Sequence, residues 1–159
     1  MRSALCLALA WAALFNAAPL AARERFQCSI ERQAAEAILD LRDRGQTRAF
    51  VTAPLPSRES VFNGRQGSLQ ARLAVQMHGI IDDVYSHPGV QAGPYLAYRM
   101  AACSERNAGR KVPRSFAEVA LPMSGCQQKH GLPLSTELSQ CAREVIEYYQ
   151  SHEHREPTD

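Results

Sequence analysis

A chain of 159 residues, 45% of them hydrophobic and 21% charged, is long enough for one domain with a real core. Its 18 Lys/Arg stand against 16 Asp/Glu, so it lacks the cationic surplus that phosphate backbones demand, which argues against nucleic acid as a partner. Only Lys111 and Lys129 among the basic residues are lysine, a bias that fits GC-rich bacterial coding.

The amino end has the layout of an export signal. Arg2 supplies a positive charge, an uncharged run follows from Ala4 to Phe15, and small residues fill 17–22 before charge resumes at Arg23. The run is too short for a spanning helix, which needs about 20 apolar residues. The expected boundaries are a signal peptide over 1–22, cut after Ala22, a disulfide-bonded helical domain over 23–151, and a polar tail over 152–159. No later stretch approaches membrane length, so no anchor is expected in the mature form. Periplasm or extracellular space is the expected destination.

The pattern predicts an all-α bundle of about five helices. The first covers 28–44, with Ile30, Ala34, Ile38 and Leu41 at helical spacing and Gly45 at the left-handed stop. A connection over 46–67 follows, broken by Pro54, Pro56, Gly64 and Gly67, with Ala49-Phe50-Val51 as one extended piece. Loops of that length are usually functional or disordered. The second helix, 68–85, carries the stripe Leu69, Leu73, Met77, Ile80 and Val84. The third opens at Gly93-Pro94, with Leu96, Met100 and Cys103 as its seam. Ser115-Phe116-Ala117-Glu118 matches a capping box that opens the fourth, which Pro122 must kink or restart. The fifth spans 135–149.

Removing Cys6 with the leader leaves Cys28, Cys103, Cys126 and Cys141, an even set with three possible pairings. No Cys-x-x-Cys motif signals a redox or thiolate zinc site. Leu134, Leu138, Cys141, Val145 and Tyr148 form one helical seam, and Val119, Met123, Cys126 and His130 another. With the turn centred near Pro133, Cys126 and Cys141 face each other. The expected links are therefore Cys126–Cys141 and Cys28–Cys103.

Four polar groups invite attention. His78 and Asp82 are one turn apart on a helix face, the spacing of a general base with its orienting carboxylate or of half a metal site. Asp83 and His87 repeat the spacing on the next stripe, but Pro88 pulls His87 out of helical geometry. Tyr85, His87, Tyr95 and Tyr98 flank the loop before Gly93 and suit either recognition or helix-end packing. Arg106, Arg110, Lys111 and Arg114 surround Gly109 at a helix end, where cations complement the dipole or bind an acidic partner. His152 and His154 could hold a metal only weakly in a charged tail.

No nucleophile elbow, phosphate-cradling loop, cofactor motif or metal-ligand spacing is present. The expected role is that of a binding or inhibitory module with a protein partner in the cell envelope and no cofactor, its contacts made by the 46–67 connection and the 85–95 loop. A small hydrolase or metal-dependent enzyme using His78 and Asp82 is one rival. A carrier of a small apolar ligand, which needs a cavity of several hundred Å³, is the other.

Overall fold

A computed structural model describes residues 27–63 and 69–152. The leader, its cut and Cys6 lie outside the described residues, as do His154 and the tail beyond His152. Among the described residues every regular element is helical. Helix α1 occupies 27–43. Then come α2 (Arg48–Thr52), α3 (Arg58–Asn63), α4 (Leu69–Ser86), α5 (Ala92–Asn107), a 3₁₀ turn (Phe116–Val119), α6 (Ala120–His130) and α7 (Thr136–His152).

Helix α5 is the hub. From Gly93 to Arg99, and again over 101–103, it is buried on every side, and it packs against both α7 and α6. The expected seam covers only part of that circumference, and Met100 lies outside the buried set. The core closes around Tyr95, Tyr98, Ile80, Ile81, Val84, Val119, Met123, Leu138 and Ile146, all fully buried. Helix α4 contributes the expected Ile80 and Val84 along with Ile81; from α1 the buried apolar residues are Ala35, Ile38 and Leu39.

Local chemistry sets the element ends. Gly45 stops α1 at φ 78°, with its N–H on Arg42 O and the Gln46 N–H on Leu41 O. Gly109 ends α5 in the same way, with its N–H on Arg106 O and the Arg110 N–H on Glu105 O. Pro94 is the third residue of α5 rather than the first; it is still in the turn whose N–H groups lack intrahelical partners. The capping box at Ser115 does not form: its hydroxyl makes no cap bond, and Glu118 instead accepts from Arg114 N and Tyr149 Oη. The chain makes a 3₁₀ turn and restarts at Ala120, which puts Pro122 in a first turn. Ser135 caps α7 by accepting from Leu138 N at 3.1 Å.

The 46–58 stretch is not extended. Thr47 accepts from Phe50 N and starts α2, so Ala49, Phe50 and Val51 are helical, and only Val51 of α2 is buried. On α7 the buried stripe is Leu138, Ala142 and Ile146, one position round from the expected seam. Because α7 packs on both α5 and α6, Cys141 and Val145 lie on its flank while Leu134 and Tyr148 are exposed.

Two disulfides fasten the bundle: Cys28–Cys103 ties α1 to α5, and Cys126–Cys141 ties α6 to α7, with Cα–Cα distances of 5.6 and 5.8 Å. Such links belong to an oxidising compartment. Among the described residues no helix is long and apolar enough to cross a membrane.

Candidate functional site

One polar face of α4 organises the surface segment 46–58. His78, Asp82 and Tyr85 fall at i, i+4 and i+7, on one stripe of the helix. The Tyr85 hydroxyl donates to Gln46 O at 2.8 Å. Asp82 receives Arg48 on one carboxylate oxygen and Arg58 on the other. His78 Nε2 lies 2.8 Å from Pro56 O; a carbonyl only accepts, so Nε2 donates to it. Val51 adds an apolar peg in the core. The segment is thus clamped along its whole length, and Phe50 stands out from it, 60% exposed.

This corrects the pairing expected of His78 and Asp82. They share a face, but each has its own partner across the segment: guanidinium groups occupy the carboxylate, and a main-chain carbonyl occupies the imidazole. The stripe positions a surface, and the arginines that complete it, Arg48 and Arg58, could not be singled out from spacing. The usable signal for α2 was the threonine three residues before Phe50.

Asp83 does different work on the neighbouring stripe. Its carboxylate is buried and accepts from Phe116 N at 2.9 Å and Tyr95 Oη at 3.1 Å, with Arg99 Nη1 at 4.0 Å. Burial pushes its carboxyl above the usual range, against the pull of the Phe116 amide and Arg99. His87 meets not this carboxylate but the Asp83 main-chain oxygen, at 3.0 Å from Nδ1.

Tyr95 and Tyr98 are therefore not recognition residues. Both are buried, with hydroxyls bonded to Asp83 and to Pro113 O. Their rings pack edge-on against Phe116, and burial raises both phenols above the usual range. Of the expected loop, Tyr85 serves the clamp. His87 lines a groove of about 480 Å³ between 86–91 and α6, over Phe116 and Met123.

The basic residues near Gly109 do not form a free patch. Arg106 donates to Glu31 at 2.7 Å, and Arg110 grips Glu105 with Nη2 at 2.6 Å, which holds the Glu105 carboxyl below the usual range. The Lys111 carbonyl accepts from Gln150. Arg114 is exposed, and its amide bonds Glu118. Glu31 of α1 and Glu105 of α5 thus engage two of the four cations, Arg106 and Arg110, in internal pairs. Behind them Glu31, 2% exposed, takes Arg99 at 2.8 Å and Arg106 together. His152 stacks on Tyr148 at 3.8 Å. No group of three or more His, Cys, Asp or Glu placed to hold a metal occurs among the described residues.

Compared with protein-family models, with curated proteins and with solved structures, the chain matches none.

Proposed function

We propose that this chain is an exported binding or inhibitory module, cut after Ala22 and released into the bacterial periplasm or beyond, and that segment 46–58 is its contact surface. The observation that carries the reading is the three-point clamp of that segment on α4, which leaves Phe50 exposed. An aromatic side chain on a rigid support is the usual anchor of a protein interface. Ordering a loop before contact removes an entropy cost of roughly 0.5–1.5 kcal/mol per immobilised side chain from the binding step. The two half-exposed arginines beside it suit the polar rim of such an interface. Two disulfides agree with an oxidising compartment.

The test is capture from an envelope extract with the oxidised chain beginning at Arg23, run with Phe50→Asp and Leu121→Asp beside it. Both positions are exposed, so neither change disturbs the core. One protein recovered by the unmodified chain and by Leu121→Asp, but not by Phe50→Asp, is the expected result. Equal recovery by Phe50→Asp, or no specific recovery at any salt concentration, overturns the reading. Amino-terminal sequencing of the exported protein checks the cut and should begin at Arg23.

A further inference from the structure

Between α3, the start of α4 and the C-terminal end of α5 lies a cleft of about 550 Å³, within the range of small-ligand sites. Its walls combine two chemistries. Val61, Ala71 and Val75 give an apolar side, and Val75 is 46% exposed although it lies well inside a helix. Arg72 and Arg106 give a cationic side, joined by the amides of Gln27 and Gln76. No carboxylate is among the described residues lining it.

The charge balance decides what can enter. Arg106 shares Glu31 with Arg99, and Arg99 also approaches Asp83. Those two acids answer those two guanidinium groups, and among the described residues no carboxylate pairs with Arg72. A cation would be repelled, and a neutral apolar guest would offer the Arg72 guanidinium no partner. A carboxylate would meet Arg72 in the paired geometry that guanidinium groups favour. The buried Gln76 Oε1 has no hydrogen-bond partner among the described residues. The wall behind is rigid: Asn107 Nδ2 donates to Cys28 Sγ at 3.3 Å, beside the Cys28–Cys103 link.

We propose that this cleft binds a carboxylate carried on a small apolar group, with Arg72 as the main charge partner and Val61, Ala71 and Val75 receiving the apolar part. The site is separate from the Phe50 surface and stands or falls independently of it. A free monocarboxylic acid and the last residue of a peptide both present this chemistry, and the probes below separate them.

The oxidised chain, labelled with ¹⁵N, is titrated with 3-phenylpropionate, with acetyl-Gly-Leu bearing a free carboxylate, and with acetyl-Gly-Leu amide. Saturable shifts at the amides of Val61, Ala71 and Val75 with at least one carboxylate probe are expected, with the capped peptide at least about tenfold weaker than its free-carboxylate form. Tighter binding of 3-phenylpropionate assigns the site to free acids; tighter binding of the dipeptide assigns it to chain ends. Arg72→Gln should weaken the better probe at least about tenfold, and Lys129→Gln, on α6, should not. Val75→Glu, which places a carboxylate in the cleft at an exposed position, should abolish binding. No saturation with either carboxylate, equal affinity for the capped peptide, or unchanged affinity in Arg72→Gln overturns the proposal.

Discussion

Arg99 of α5 and Glu31 of α1, 68 residues apart in sequence, meet at 2.8 Å with almost no exposure to solvent. A buried pair of this kind contributes little over an apolar substitute, but removing one partner strands the other charge. Here Glu31 also answers Arg106. One carboxylate thus joins the outer helix to the hub on the same side as the Cys28–Cys103 link.

Glu31→Ala is therefore expected to destabilise the fold by about 3–5 kcal/mol, lowering the thermal midpoint by roughly 10–17 °C. Urea unfolding followed by circular dichroism measures this directly. A loss below about 1 kcal/mol would mean that the pair is solvated like a surface one.

Two carboxylates should push the pH dependence of stability in opposite directions. Burial raises Asp83 above its unfolded value, so its contribution is full below that value and is lost as pH rises through the folded one. The Arg110 bond lowers Glu105, so its contribution is present above the unfolded value and is lost as pH falls through the folded one. Between pH 7 and pH 3, wild type should gain stability relative to Asp83→Asn and lose it relative to Glu105→Gln. The comparison needs only the three unfolding curves at each pH, and slopes of the same sign would refute it.

Gly93 is a close-approach glycine. A Cβ there would stand 1.7 Å from Leu132 O, in the turn that joins α6 to α7. Gly93→Ala should cost about 3 kcal/mol, since backbone and not a flexible side chain must move. Gly125, inside α6 with open space around it, is the internal control. Its change to Ala should be neutral or stabilise by up to about 1 kcal/mol. Thermal melts of the two single variants settle the contrast.

Loop length ranks the crosslinks. The chain-entropy model gives the Cys28–Cys103 ring, spanning 75 residues, about 4.5 kcal/mol and the Cys126–Cys141 ring, spanning 15, about 3 kcal/mol. Against a net stability of about 5–15 kcal/mol, the paired serine replacements should rank in that order by urea midpoint. Reversal of the order would show that strain or residual unfolded structure outweighs ring size.

The longer helices could be read in the sequence because their apolar spacing is sustained. Ile80 and Val84 on α4, and Val119, Met123 and Cys126 before the turn, are where the pattern puts them. The facing of Cys126 and Cys141 followed from the same spacing. Single-turn elements give no such signal, so α2 and α3 were hidden inside a connection; α2 is held by one threonine and by clamps from a distant helix. Tyr95 and Tyr98 look like surface tyrosines until Asp83 and Pro113 are known to receive their hydroxyls. The seam of α7 was read one position off because two neighbours share that helix and Ala142 is as buried as Leu138. In the candidate site, His78, Asp82 and Tyr85 were visible as residues, but their purpose depends on Gln46, Arg48, Pro56 and Arg58 arriving from elsewhere along the chain.

Among the described residues the four cysteines are linked first to second and third to fourth, so the two covalent rings follow one another along the backbone without overlap. A chain entering an oxidising space amino terminus first can therefore close each bond in the order in which its thiols arrive. An oxidant that joins these four in sequence order makes the observed set, with no wrongly joined sulfurs left to reshuffle.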